Sequence, residues 1–343
     1  MTLKMKSSPA GPPWTAMRRK LAKWYASARR DLPWRRTTDP YAIAVSEIML
    51  QQTQVATVIP YYERWLKSFP TWQALAVAKE PAVIKSWEGL GYYRRARNLH
   101  ALAKTVIQMG GDLPRSADGL RALPGIGPYT AAAIGSIAFG LPLAVLDGNV
   151  MRVLTRLLAL RDDISRPQTR IKLQEIANQF LDRRDPSTHN QAMMELGATI
   201  CLPRNPMCLI CPVSDDCRGR SAPEDFPVKS RAAQEKRSET VAIIAYGKSF
   251  YCEQVPVGRP WHGLWRFPDF DAARMEQGRT LSRIKYGITK YSVTMQAVAA
   301  KWKSRVPSRG SYLTLDKMRS LAFAAPHRKL AHDLEQQKSP QGF

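Results

Sequence analysis

Cys201, Cys208, Cys211 and Cys217 spell C-x6-C-x2-C-x5-C, and only Cys252 stands elsewhere in the 343 residues. Thiols crowded into one segment and nearly absent from the rest point to a shared inorganic centre, because the thiolate is the metal ligand. Four thiolates suit a tetrahedral zinc or an iron–sulfur cluster. Zinc ribbons usually carry two short cysteine knuckles, and here only the middle pair is short. Spacing alone leaves zinc, a cluster and a pair of disulfides open. Cys252, in a strand-like segment, reads as a buried side chain.

Charge is the next constraint. Lys and Arg number 52 against 28 Asp and Glu, a net +24, and the excess is shared by residues 1–238 and 239–343. So large an imbalance calls for a polyanionic partner, a nucleic acid or an acidic membrane face. With 44% hydrophobic and 23% charged residues the composition is that of a globular chain, which argues against wholesale disorder. Ala122–Leu146 contains no charged residue, but Pro124, Pro128, Pro142 and four glycines interrupt it. It reads as loop, short buried helix and turn, not as a membrane span. No hydrophobic signal core precedes Trp14, and the cysteine usage fits a reducing compartment.

The periodicity before residue 220 is helical. Met17–Tyr25 is a basic amphipathic helix, Asp39-Pro40 is a cap followed by a proline at the first helical position, and further helical patterns run to Asn190–Thr199. Pro223, Pro227 and the charged run Lys229–Arg237 predict an exposed linker. Beyond it Thr240–Tyr246, Phe250–Gln254, Trp265–Phe267 and Tyr291–Val298 have strand composition. The expectation is an all-α region over 14–220 including the cysteine loop 201–217, a linker over 221–238, and a smaller α+β domain over 239–343.

Two stretches carry chemistry. Leu123-Pro-Gly-Ile-Gly-Pro-Tyr-Thr130 predicts a short helix, a glycine hairpin and a helix N-terminus. Gly125 and Gly127 allow a tight turn and close approach of backbone to ligand. The helix end offers unpaired N–H groups to a phosphate without reading sequence. Asp147, after the apolar Ala144–Leu146, caps the helix starting near Asn149 or serves chemistry there. Glu47 sits among Ile48, Met49 and Leu50; a carboxyl desolvated by such neighbours has a raised pKa and holds a proton near neutrality, as a general acid must.

Ser46-Glu-Ile-Met-Leu-Gln-Gln-Thr-Gln-Val55 resembles the MutY family, the adenine DNA glycosylases, almost letter for letter. Trp34-Arg35, Gly89-Leu-Gly-Tyr-Tyr-Arg-Arg-Ala-Arg97, Leu146-Asp-Gly-Asn149 and Asn190–Cys201 match the same family in the same order, over roughly residues 14–230. The resemblance implies a helix–hairpin–helix glycosylase core with an iron–sulfur loop, followed by a MutT/nudix-like domain. It implies a [4Fe-4S] cluster on the four cysteines and a monomer acting on duplex DNA with a mismatched or oxidised base pair. The expected place is cytoplasm and nucleoid in a bacterium, nucleus or mitochondrion in a eukaryote.

Carried over residue by residue, Glu47 would protonate adenine at N7 and later position water. Asp147 would stabilise the cationic sugar, through charge or a transient covalent adduct, and Asn149 would orient the carboxylates. Tyr129 stands where the endonuclease III enzymes carry a Schiff-base lysine, which implies a monofunctional glycosylase. Arg30, Trp34, Arg35 and Glu195 would line the adenine pocket, and Gln52 would wedge into the duplex. Arg94, Arg204 and Arg218 would contact DNA. Val257–Pro268 resembles the MutT-like domain, which would examine 8-oxoguanine opposite the adenine. Arg266 replaces the usual glutamate, and Ile288-Thr289-Lys290 replaces the phenylalanine–serine–histidine loop, leaving Thr289 and Lys290 as the lesion contacts. No nudix box of paired acids is present. Two other readings remain: a thymine mismatch glycosylase of the same superfamily, and a non-catalytic damage-binding protein.

Overall fold

In the computed structural model, residues 12–230, 234–259, 261–288 and 290–336 are described. The chain divides into two units, Met1–Val77 with Asn98–Ser230, and Ala78–Arg97 with Arg231–Phe343. The second unit thus takes in residues 78–97 from the stretch read as catalytic region.

The first helices are α1 (Trp14–Ala28), α2 (Pro40–Leu50), α3 (Val55–Ser68), α4 (Trp72–Ala76), α5 (Glu80–Ser86) and α6 (Arg94–Gln108). They are followed by α7 (Ala117–Arg121), α8 (Pro128–Phe139), α9 (Gly148–Leu158), α10 (Pro167–Phe180) and α11 (Pro186–Thr199). Their starts are written locally. Asp39 accepts from the amides of Tyr41 and Ala42, Thr71 from Ala74, Ser116 from Gly119 and Asp185 from Thr188. α11 begins a turn before the expected Asn190 because Asp185 and Pro186 form a cap and first-position proline.

Tyr41 through Met49 of α2 are all buried, so this helix is the central rod of its unit. Met17, Leu21 and Tyr25 of α1 pack in one core with Val153, Leu154 and Leu157 of α9, Phe180 of α10 and Leu196 of α11. No helix among the described residues is long and apolar enough to cross a membrane.

The segment read as exposed linker is not uniformly exposed. Phe226 is buried, and Ile164 donates its amide to the Val228 carbonyl at 3.0 Å. A strand then begins at Glu235, inside the same segment.

The second unit's strands are β1 (Glu235–Ile243), β2 (Ala245–Tyr246), β3 (Ser249–Gln254), β4 (Trp265–Arg266), β5 (Met275–Ile288), β6 (Tyr291–Trp302) and β7 (Gly310–Thr314). β1 runs parallel to β6 and β5 antiparallel to it, giving the order β1-β6-β5. β2, β4 and β7 pair with β3 in a second sheet. α12 (Leu315–Ser320) and α13 (Ala325–Gln336) complete the unit. Cys252 lies fully buried in β3. Arg266, the residue in place of a glutamate, is neutralised by Glu253 at 2.8 Å and by both oxygens of Asp269. The reversed charge has its own acidic partners.

Candidate active site

A cleft of about 680 Å³ opens in the first unit, lined by Trp34, Arg35, Glu47, Gln52, Tyr129 and Asp147 among others. α2 carries Glu47 into it from its buried interior. α8 contributes Tyr129 in its first turn, and α9 contributes Asp147 at its N-cap. A 3-10 turn, Pro33–Arg35, supplies Trp34 and Arg35, and α11 supplies Met194 and Glu195.

Glu47 is 5% exposed. Burial pushes its carboxyl up, the Tyr129 hydroxyl bond pulls it down, and the nearby Asp147 charge raises it again, leaving it at about 7. Tyr129 donates to Glu47 Oε2 at 2.8 Å and lies 3.3 Å from Met194 Sδ. Asp147 is held differently. Oδ1 accepts from the Val150 amide at 2.7 Å and Oδ2 from Asn149 Nδ2 at 3.1 Å. Burial raises its pKa, with these bonds opposing. The two expected readings of Asp147, cap and site residue, are one arrangement: the helix start fixes the carboxylate beside Glu47. Asn149 was expected to orient both carboxylates; among the described residues it donates to Asp147. Glu47 is bonded instead by Tyr129, a contact that the sequence did not reveal.

Glu195 is fully buried and accepts from the Arg30 amide at 3.0 Å, from Arg30 Nε and Nη2 at 2.8 Å, and from Arg35 Nη2 at 2.8 Å. Burial alone would raise its pKa, but these donors outweigh it and hold the carboxyl at about 2. A depressed carboxyl stabilises the fold above the ordinary glutamate range and loses that contribution as pH falls toward 2. Glu195→Gln is therefore expected to cost about 3–5 kcal/mol at pH 7. Urea unfolding of both proteins should show the difference shrinking by pH 2. A constant difference would contradict the ion-pair account.

Trp34 is 7% exposed and packs edge-on to Tyr62 at 5.5 Å, so it is both core aromatic and cleft wall. Gln52 is exposed at the rim with φ 56°, a left-handed conformation unusual for a residue with a side chain. Gly125 and Gly127 also reach the cleft. Gly125 has φ +75°, and a Cβ there would sit 2.5 Å from Asn98 Cβ; a Cβ at Gly127 would meet nothing. Arg94, Arg204, Arg218 and Lys290 are exposed, and Lys290 pairs with Glu235 in the second unit. Thr289 lies outside the described residues.

Cys201, Cys208, Cys211 and Cys217 line one apolar hollow with Val153, Leu157 and Ile200, and none of the four is in a disulfide. Two arginines missed from sequence organise this loop. Arg156, buried, donates to the carbonyls of Leu202, Pro203, Pro223 and Phe226 and approaches Cys201 Sγ at 3.3 Å. Arg152 donates to Asn149 Oδ1, to the Gly197 carbonyl and to the Cys201 carbonyl. Their signal in the sequence is spacing: two arginines four apart on an otherwise apolar helix face, with no acid in α9 to pair them.

Residues 45–179 match the family of HhH-GPD superfamily base excision DNA repair proteins. The chain is similar to human adenine DNA glycosylase, 49% identical over 268 residues, covering 74% of this chain and 49% of the human protein. It thus spans about half the length of that relative. It is 42% identical to adenine DNA glycosylase of Mycolicibacterium smegmatis, covering 63% of this chain and 73% of the bacterial protein. Among solved structures, a thermostable thymine-DNA glycosylase superposes with a TM-score of 0.56 at 30% identity, covering 61% of this chain and 96% of that one. Half of the human protein's length lies outside the match, whereas most of the bacterial protein's length lies within it, at an identity far above chance. Together with the buried glutamate, the capped aspartate and the glycine hairpin, this places the chain in the family of adenine DNA glycosylases, within the helix–hairpin–helix superfamily.

Proposed function

We propose that the protein is a monofunctional glycosylase that hydrolyses the N-glycosidic bond of adenine mispaired with 8-oxoguanine or guanine in duplex DNA. One observation carries this: a carboxyl buried in the cleft, its pKa pushed up to about 7 by that burial, beside a second carboxyl fixed by a helix start. Glu47 delivers its proton to adenine N7, so the base departs neutral. Asp147 stabilises the positive charge growing on the sugar, and Asn149 holds Asp147 in place. Tyr129 carries a phenol, which forms no Schiff base, so no strand cleavage follows. Arg30, Trp34, Arg35 and Glu195 receive the extruded base, and Gln52 fills the space it leaves.

The four cysteines fit a [4Fe-4S] cluster: they converge on one apolar hollow, and no fifth side chain is needed. Bound there, the cluster supplies a rigid core for the loop and takes no part in bond cleavage. Arg204 and Arg218 then contact phosphates from the loop, as does Arg94 from the start of α6. The functional regions are the glycosylase core 14–220, the linker 221–238 and a nudix-like lesion-reading domain 239–343, with Thr289 and Lys290 as its contacts to the opposite base. Iron and sulfide in stoichiometric amount, with visible absorbance, test the cluster; bound zinc would refute it.

The glycine hairpin gives a paired test. Gly125→Ala forces a side chain into a left-handed backbone and against Asn98, and is expected to destabilise by about 1–3 kcal/mol. Gly127→Ala meets no atom of the protein and should leave stability within about 0.5 kcal/mol. Its DNA affinity should nevertheless fall, because the methyl group stands where a phosphate approaches. Thermal unfolding and duplex binding of both variants separate the two effects.

Incubation with duplexes bearing adenine or thymine opposite guanine or 8-oxoguanine tests the assignment. Release of thymine alone would replace it with the second reading, to which the structural likeness lends weight. Glu47 favours adenine, whose N7 accepts a proton; thymine has no equivalent ring acceptor.

A further inference from the structure

The four-cysteine loop buries one polar group that the packing around it does not account for. Ser214 follows Cys211-Pro-Val, and its backbone is tied to two of the cysteines. Its amide donates to the Cys211 carbonyl at 3.1 Å, and its own carbonyl accepts from the Cys217 amide at 3.1 Å. Two successive turns thus pin Ser214 midway between two cysteines, and it lines the hollow that all four share. The residue is 8% exposed, and its Oγ is buried with no hydrogen-bond partner among the described residues.

A buried hydroxyl without a partner is costly, and the side chains that share the hollow include Val153, Leu157, Leu196 and Ile200. An alanine would fill the same place without that cost. The usual relief for a serine is a bond to a carbonyl of its own turn, and among the described residues Ser214 makes none. The acceptors that do face this hollow are sulfurs. Cys201 Sγ stands 3.3 Å from Arg156 Nη1, and the Val213 amide bonds Cys211. Donors therefore already converge on the cysteine sulfurs from two places, as anionic sulfur favours.

Resting on the assignment of a [4Fe-4S] cluster to these cysteines, we propose that Ser214 donates its hydroxyl hydrogen to a sulfur of that cluster and thereby raises the cluster's reduction potential. A cluster held by four thiolates is anionic, and a donor at sulfur favours the state that carries one more electron. The hydroxyl gains its missing acceptor in the same contact, which gives a reason for serine rather than alanine in an apolar wall. Ser214 is a positioning residue in this account: it acts on the cluster and stands apart from the cleft that carries Glu47.

Redox titration of the full, cluster-bearing chain tests the contact. Ser214→Ala should lower the potential by about 59 mV, the one-electron equivalent of the roughly tenfold change in equilibrium constant that one hydrogen bond to a charged group is worth. Ser214→Thr keeps the hydroxyl and should return the potential to that of the parent. Resonance Raman spectra give a second readout: transfer to D2O should shift the Fe–S stretching bands in the parent and Ser214→Thr proteins, and shift them less in Ser214→Ala. A parent-like potential in Ser214→Ala would overturn the proposal. So would an equal fall in Ser214→Thr, because packing and not the hydroxyl would then set the value. Iron and sulfide are counted on the same preparations. Zinc in their place would remove the cluster reading and this proposal with it, whereas full iron and sulfide with an unmoved potential would remove this proposal alone.

Discussion

Glu47→Gln is expected to slow adenine release by roughly 10²–10⁴-fold while duplex affinity stays near that of the parent protein. Glutamine keeps the shape of the side chain and accepts from Tyr129, but it has no proton to give to a purine nitrogen. The same variant should be more stable. A carboxyl whose folded pKa is raised binds its proton more tightly in the folded state. Folding stability therefore falls as pH climbs from the ordinary glutamate range to about 7, and the full penalty applies above that. Removing the ionisable group recovers about 1–3 kcal/mol at pH 8 and little at pH 4. The pH–rate profile of the parent should fall on the alkaline side with a midpoint near 7, where the acid form of Glu47 is depleted. Single-turnover kinetics together with urea unfolding at two pH values test the pair of effects. An active variant, or one less stable at pH 8, would remove the desolvated acid from the mechanism.

What the sequence revealed and what it hid follow from the range of the interactions. Asp39, Pro40, Gly125 and Asp147 act on neighbours a few residues away, so cap, turn and hairpin could be read letter by letter. Glu47 was marked by its apolar neighbours within one helix. Its partner Tyr129 lies 82 residues on, and no local pattern announces that contact. Arg152 and Arg156 stay hidden in the sequence because most of their acceptors are backbone carbonyls, which leave no trace in residue type. β5 escaped notice for another reason. Its pairing with β6 shifts register between Gln277 and Thr280 and again between Thr280 and Ser282, which breaks the alternation expected of a strand. The charged start of β1 has the composition of a linker because Glu235–Ser238 are exposed even though they pair with Tyr291–Thr294.

Arg156→Met is expected to cost roughly 3–5 kcal/mol and to release the four-cysteine loop. The guanidinium is 2% exposed and hydrogen-bonds four carbonyls, two on the strand of chain after Cys201 and two after Cys217. It thereby ties both ends of the loop to α9. Its own carbonyl accepts from Gly219 at 2.8 Å, where a Cβ on Gly219 would come within 2.6 Å, so the chain runs against the helix with no room for a side chain. Methionine fills much of the volume but leaves those buried carbonyls without donors, and each orphan costs about 1–3 kcal/mol before relaxation. Lysine restores the charge but donates from one point and cannot reach carbonyls on two sides, so Arg156→Lys should fall between the two. Iron content, visible absorbance and the urea midpoint, measured on the same preparations, should decline together in the order arginine, lysine, methionine. Because α9 also carries Asp147 at its start, adenine release should fall with them, although Arg156 touches nothing in the cleft. Full iron content in a destabilised Arg156→Met protein would mean that the cysteines alone define the loop and that the arginine only packs against it.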